Sequence, residues 1–238
     1  MKNVRLYQNT PLQIGKKIIL DEYGYHHLVK VLRFPQGKNI TLFNGDGTNY
    51  LARVDKVKKY CEVDIVSSEK NQSESKLNIT LAQGVAKGEK MDFLIQKAVE
   101  LGVNSIVPIM SERCVVKLNG ERLAKRHKHW ERVIIGASEQ SGRSVIPDLA
   151  KSISFNEFVN LNINNGLILH HRAELPLIDI EPLSEVVIII GPEGGFTSAE
   201  IDHALKSNCR IVSLGPRILR TETASIAAIA NLQMLWGS

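Results

Sequence analysis

Ile188-Ile189-Ile190-Gly191-Pro192-Glu193-Gly194-Gly195-Phe196 is the stretch that decides the architecture of this chain. It continues an apolar run that begins at Val186. An unbroken apolar run of this kind reads as a strand buried on both faces, as in parallel sheets. The glycines then turn the chain, and Thr197-x-x-Glu200 has the spacing of a helix-starting capping box. A second stretch repeats the plan: a strand expected at Arg210 to Leu214 leads through Leu214-Gly215-Pro216-Arg217-Ile218-Leu219-Arg220-Thr221-Glu222-Thr223-Ala224 into a helical pattern ending at Trp236. Two strand-end loops this close in sequence can lie side by side at the carboxyl edge of one parallel sheet, where open α/β sheets bind ligands. The pair predicts one small-ligand site built from two loops.

Outward from these loops the same texture holds from residue 73 to 238. Strands are expected at Leu77 to Gln83, Val103 to Met110, Gly166 to His170 and Val186 to Ile190. Between them, Met91 to Leu101 places Met91, Leu94, Ile95 and Ala98 on one helical face, with Gly102 as its cap. Glu121 to Ser138 reads as a long basic amphipathic helix with Leu123, Trp130, Ile134 and Ala137 inward. Strands alternating with helices imply a mostly parallel sheet. Residues 1–72 differ: short strands at Lys17 to Leu20, Asn39 to Phe43, Tyr50 to Val57 and Tyr60 to Val66. Asn44-Gly45-Asp46-Gly47 is a hairpin turn between two of them. One helical stretch, Tyr25 to Arg33, puts Leu28, Val31 and Leu32 on one face and presents His27, Lys30 and Arg33 outward. This is the pattern of a small β-barrel with one helix. Polar Lys70 to Lys76 is the expected linker.

The charge is lopsided. Residues 1–72 carry 12 Lys and Arg against 7 Asp and Glu, while residues 73–238 carry 18 of each. The whole net charge of +5 therefore lies in the first domain, which predicts a polyanion-gripping module beside a neutral core. Cys61, Cys114 and Cys209 are too scattered for a metal or redox motif and read as reduced thiols. No apolar run approaches the ~20 residues of a membrane span. Met1 to Thr10 lacks the apolar core of an export signal, so a cytoplasmic protein is expected.

Several familiar chemistries are excluded. Gly84-Val85-Ala86-Lys87-Gly88-Glu89-Lys90 has one residue too few between its glycines for a phosphate-binding loop, and Glu89 interrupts its end. It reads as a turn before a helix, with Lys87 and Lys90 free to line a substrate surface. Neighbours on a strand point to opposite faces, which makes adjacent histidines such as His170-His171 poor chelators. Neither they nor His26-His27 and His127-x-His129 have acidic or cysteine partners to complete a zinc pattern, so no metal site is expected. A Gly-x-Ser-x-Gly nucleophile turn is absent. Glu139-Gln140-Ser141-Gly142-Arg143 packs a carboxylate, an amide, a hydroxyl and a guanidinium into one helix end, more than a helix end requires. In the last loop, Ile218 and Leu219 can grip a flat base while Arg217 and Arg220 face an anionic partner.

Five motifs in order resemble one family. They are His27-Leu28-Val29-Lys30-Val31-Leu32-Arg33, Lys97 to Val103, Glu139 to Arg143, Gly191 to Gly195 and Leu214 to Ala224. Together they resemble the RsmE family of SPOUT-class methyltransferases, which methylate N3 of a specific uridine in 16S ribosomal RNA. The resemblance covers essentially the whole chain. It implies a PUA-like RNA-binding barrel (1–72) and an α/β methyltransferase domain (73–238) with a parallel sheet and a deep trefoil knot. It also implies a homodimer acting on 16S rRNA of the small ribosomal subunit, with S-adenosyl-L-methionine as cofactor. The implied cofactor residues are Leu169, His170, Gly191, Pro192, Glu193, Gly194, Gly195, Leu214, Gly215, Arg217, Ile218, Leu219, Arg220 and Thr223. Arg33, Glu139 and Arg143 are the catalytic candidates: a cation near the developing charge, Arg33 or Arg143, and Glu139 as base. Arg5, Lys16, Lys30, Arg33 and Arg143 are the RNA-gripping candidates. Arg220 and Glu222 have an alternative role as a loop-shaping ion pair. A competing reading, a non-catalytic RNA-binding or assembly factor that keeps the fold, predicts no S-adenosylmethionine binding; the intact glycine loops argue against it.

Overall fold

A computed structural model describes residues 4–116, 120–161 and 163–237. The chain divides into two compact units, Met1–Glu74 with Ser138–Ile146, and Ser75–Ala137 with Pro147–Ser238. The first break falls within the polar stretch read as a linker. The second unit as divided in the sequence contains Glu139 to Arg143, whereas the structure groups that motif with the first unit.

The first unit is one five-stranded sheet. Its strands are β1 (Arg5–Tyr7), β2 (Lys17–Ile19), β3 (Asn39–Phe43), β4 (Thr48–Val57) and β5 (Cys61–Lys70), in the order β1-β3-β4-β5-β2. β1 runs parallel to β3 and the other pairs are antiparallel. The β3–β4 turn is the expected one: Gly45 and Gly47 take φ of 96° and 77°, and Asp46 Oδ1 accepts from the Thr48 amide at 2.8 Å. Leu6, Leu28, Ile40, Leu42, Ala52, Val54, Val63 and Ile65 fill the core. The helical stretch departs from expectation. α1 (Glu22–Tyr25) passes into a π-helical segment, His26–Val31, whose wider turn changes the facing of side chains. Leu28 is buried, but Val31 and Leu32 are exposed, and Arg33 ends the segment at a left-handed φ of 48°. The polar stretch after β5 is held by hydrogen bonds. Asn71 donates to Gly142 O at 2.7 Å, and Ser75 Oγ donates to Gly237 O at 3.0 Å.

The second unit is a seven-stranded parallel sheet. β6 (Asn78–Gly84), β7 (Ser105–Met110), β8 (Asp148–Leu149), β9 (Ile153–Ser154), β10 (Gly166–Leu169), β11 (Glu185–Ile190) and β12 (Arg210–Val212) give the order β12-β10-β11-β6-β7-β8, with β9 also on β7. Every pairing in it is parallel, as the strand–helix alternation predicts. Among the described residues the helices that accompany it are α2 (Glu89–Glu100), α3 (Gly120–Ser141), α4 (Phe155–Val159), α5 (Ser198–Lys206) and α6 (Thr221–Trp236). The faces read from sequence are the buried ones: Met91, Leu94, Ile95 and Ala98 on α2, and Trp130, Ile134 and Ala137 on α3, with Leu123 half-buried. α5 opens with the reciprocal capping box of Thr197 and Glu200, and the buried Glu200 carboxylate accepts a further bond from the Glu112 amide at 2.9 Å. The three cysteines are buried free thiols.

Candidate functional site

The central strands β10, β11, β6 and the neighbouring β12 all point their carboxyl ends the same way, so the loops that follow them share one edge. There the second unit encloses a cavity of about 530 Å³, within the range of small-molecule sites. Its walls are Leu169 and His170 after β10, Gly191 to Phe196 after β11, and Leu214, Gly215 and Arg217 to Thr221 after β12. The structure thus brings together all the expected cofactor residues except Thr223, which is exposed on α6 and outside the lining; Thr221 and Ala224 are in it instead. Lys90, Arg113 and His171 also line it. Lys90 is the lysine expected to line a substrate surface, but nothing in the spacing points to Arg113, whose guanidinium donates to Gly194 O at 3.1 Å.

Glycine is required here by geometry. A Cβ on Gly84 would run into the Pro192 ring, so the β6 end admits the loop after β11 only as glycine. Gly195 takes φ of 65° and Gly215 φ of 109°, both left-handed, and at each a Cβ would face open space. The Gly195 amide closes the turn on Pro192 O at 2.8 Å. One buried polar network ties the loop to the sheet and to α6. Gln83 donates to Gly84 O and to Thr221 Oγ1, and accepts from Ser225 Oγ at 2.6 Å. Thr221 Oγ1 in turn donates to Gly191 O at 2.6 Å. Every polar atom of the Gln83 side chain is satisfied, which is the condition under which a buried network fixes one arrangement.

The charges at the cavity are arranged around Glu193. Burial pushes the Glu193 carboxyl up, but its own amide, the Lys87 amide and the Lys90 ammonium outweigh burial and hold it below the usual carboxylate range. Lys90 Nζ lies 3.3 Å from Glu193 and 3.9 Å from Glu222. This corrects one expectation: Glu222 pairs with Lys90, and among the described residues Arg220 forms no ion pair with it. Burial, with the neighbouring His171 and Arg172, lowers the His170 pKa and favours a neutral imidazole. Ile218 stands 77 % exposed at the mouth, an apolar side chain with no protein surface over it. Among the described residues no group of three His, Cys, Asp or Glu gathers as metal ligands.

The other candidates belong to the first unit. Glu139, near the end of α3, accepts from the Tyr7 amide at 2.9 Å. Burial pushes its carboxyl up to about 7, against the Tyr7 amide, Arg5 and the Tyr23 hydroxyl; nearby Asp21 pushes it further. Arg143 departs from its expected roles. It is 3 % exposed and forks onto Glu74, with contacts of 3.0 and 2.6 Å. A buried guanidinium committed to a bidentate carboxylate pins residues 71–74 to the end of α3 and is not free to hold RNA. Arg5 is likewise engaged, donating to Asn49, Ser144 and the Arg143 carbonyl. Lys16, Lys30 and Arg33 are exposed, as an RNA grip requires. Lys30 lies over the Tyr25 ring at 5.8 Å.

Known proteins place this geometry. The family described as RNA methyltransferase domain matches residues 73–233, and that described as RNA methyltransferase PUA domain matches residues 20–66. Ribosomal RNA small subunit methyltransferase E of Rickettsia conorii is 34 % identical over 99 % of this chain and 97 % of its own length. The protein of the same name from Buchnera aphidicola subsp. Acyrthosiphon pisum is 33 % identical over 98 % of this chain and 94 % of its own length. Among solved structures, ribosomal RNA small subunit methyltransferase E of Neisseria gonorrhoeae, bound to S-adenosyl methionine, superposes with a TM-score of 0.92 at 40 % identity over 99 % of this chain and 98 % of that one. A Legionella pneumophila protein solved with the bound cofactor SAM gives 0.97 at 41 % identity over 100 % of both chains. A parallel sheet with two glycine loops around one cavity, an N-terminal PUA domain and end-to-end similarity agree: the chain belongs to the ribosomal RNA small subunit methyltransferase E family.

Proposed function

We propose that this protein transfers a methyl group from S-adenosylmethionine to N3 of a uridine in 16S ribosomal RNA, as a cytoplasmic homodimer whose C-terminal chain is threaded as a trefoil knot. The observation that carries the reading is the convergence of three strand-end segments on the 530 Å³ cavity. The residues present fit the donor. Gly195 and Gly215 open the backbone to a ligand, Ile218 and Leu219 supply an apolar grip for an adenine, and Arg217 and Arg220 supply positive charge for a carboxylate. When bound, S-adenosylmethionine supplies an electrophilic methyl group, and it carries no phosphate, in keeping with a loop that lacks the phosphate-binding spacing.

The acceptor sets the remaining demands. Uridine N3 is protonated at neutral pH and lies on the pairing edge, so the base must be unpaired and its proton removed. A carboxyl with a pKa near the working pH suits a general base, and Glu139 has that property. Exposed Arg33 is the cation assigned to the developing negative charge, a role Arg143 gives up to Glu74. The knot is supported by the strand order β12-β10-β11-β6 and by the return of α6 onto β11 and α2. Dimerisation is supported by exposed Phe93 on α2 and Met234 and Leu235 on α6.

Two measurements test the proposal. Calorimetry with S-adenosylmethionine is expected to show binding, and Gly195→Val to abolish it while RNA binding persists, because a β-branched residue is strained at φ of 65°. Mass spectrometry of 16S rRNA from a deletion strain is expected to show one methyl lost from a uridine. No heat with the donor and unchanged rRNA would instead support a non-catalytic assembly factor.

A further inference from the structure

The charge count of the second domain is balanced overall, but it is not balanced locally. α3 carries Arg122, Lys125, Arg126, Lys128 and Arg132 against only Glu121 and Glu131 from Gly120 to Arg132. All five cations are exposed. Among the described residues none of them makes an ion pair, although the same unit pairs Lys90 and Lys97 with carboxylates. The two histidines of this stretch are already engaged: His127 Nε2 accepts from the Ser152 amide at 3.2 Å, and His129 lies 2.7 Å from Asp92. Exposed Lys151 adjoins Ser152 at the helix flank.

This arrangement works against the helix. Arg122 with Arg126, and Lys128 with Arg132, are like charges at i,i+4, which repel, against one favourable pair at that spacing, Glu121 with Lys125. Arg122 also sits in the first turn, where the helix dipole disfavours cations. The helix is held instead by its buried Trp130, Ile134 and Ala137. A locally unfavourable pattern kept on a well-anchored element marks a functional surface. From Arg122 to Arg132 the stripe extends about 15 Å along the helix axis. Among the described residues none of the exposed large apolar side chains lies on α3. A protein partner would need such anchors, whereas a phosphate backbone needs only spaced Lys and Arg.

We infer that the outward face of α3 is a second RNA-backbone grip, carried by the methyltransferase unit and independent of the basic N-terminal domain. The inference rests on RNA being the substrate. The test is the variant Lys125→Gln, Arg126→Gln, Lys128→Gln, assayed against labelled 16S rRNA between about 50 and 200 mM salt. Binding is expected to weaken at least about tenfold, and the slope of log affinity against log salt to shrink by about 2, three single-strand phosphate contacts at about 0.7 each. S-adenosylmethionine affinity measured by calorimetry is expected to stay as in the wild type, which also establishes that the variant folds. The charge-keeping variant Lys125→Arg, Arg126→Lys, Lys128→Arg is expected to bind RNA normally. Unchanged affinity and slope in the glutamine variant, beside a wild type that binds RNA, would overturn the grip and leave the methyltransferase reading standing. A wild type that binds no RNA would overturn both.

Discussion

Glu139 and Arg143 lie four residues apart on either side of the end of α3, and their surroundings give them opposite chemistry. Arg143 is neutralised by Glu74 and sealed from water, so its charge is spent on holding the chain. Glu139 has one amide donor and a half-buried carboxyl raised to about 7 from an ordinary value of 4.5. The sign follows from the direction of that shift. The folded protein binds this proton more tightly than the unfolded chain, so the contribution of Glu139 to stability is greatest below pH 4.5 and declines as pH rises through about 7. Glu139→Gln keeps an oxygen for the Tyr7 amide and removes the titration. Thermal melts of this variant are expected to lose part of the decline between those two values. If Glu139 is the base, the variant also loses the limb of the kcat/KM profile centred near pH 7 and falls by about 10²–10⁴ in rate. Both residues were visible in the sequence as an over-functionalised helix end; which of them is free was not, because that depends on Glu74, 69 positions away.

At the scale of elements, the site is made by what joins β6, the loop after β11 and α6. Thr221 is the joint, since its one hydroxyl serves both Gly191 O and Gln83. Thr221→Val keeps the shape and leaves a buried carbonyl and an amide donor without a partner. A loss of about 1–3 kcal/mol in stability is expected from urea unfolding, together with weaker S-adenosylmethionine binding as the loop loosens. The sequence marked the loops by their glycines but passed over Thr221, because a threonine at a helix start reads as ordinary. The helical stretch after α1 shows a different limit. A 3.6-residue period assigned Val31 and Leu32 to the face of Leu28, and the π-turn broke that period and turned them to solvent.

Exposed large apolar residues occur in both units, and three of them, Phe93, Met234 and Leu235, lie on α2 and α6, which pack together. Met234 is 84 % exposed and neighbours Leu235 at the end of α6, the helix that packs on α2 beside exposed Phe93. We propose that these side chains belong to the surface covered in the homodimer. Sedimentation of the wild type is expected to show a dimer, and Met234→Asp with Leu235→Asp to shift it to monomer; a monomeric wild type would remove this assignment. The two-residue strands β8 and β9 left no period to read, but the other five strands of the parallel sheet, the two strand-end loops and the capping box of α5 were legible in the sequence. Each is written in residues within a few positions of one another, as an unbroken apolar run, a glycine turn or a Thr-x-x-Glu spacing. The tertiary structure alone decided that Arg113 and His171 join the expected loops at the cavity, that Lys90 bridges Glu193 and Glu222, and that Arg143 is buried on Glu74. Those are meetings of residues tens or more than a hundred positions apart, and local periodicity carries no record of which distant partner a side chain will find.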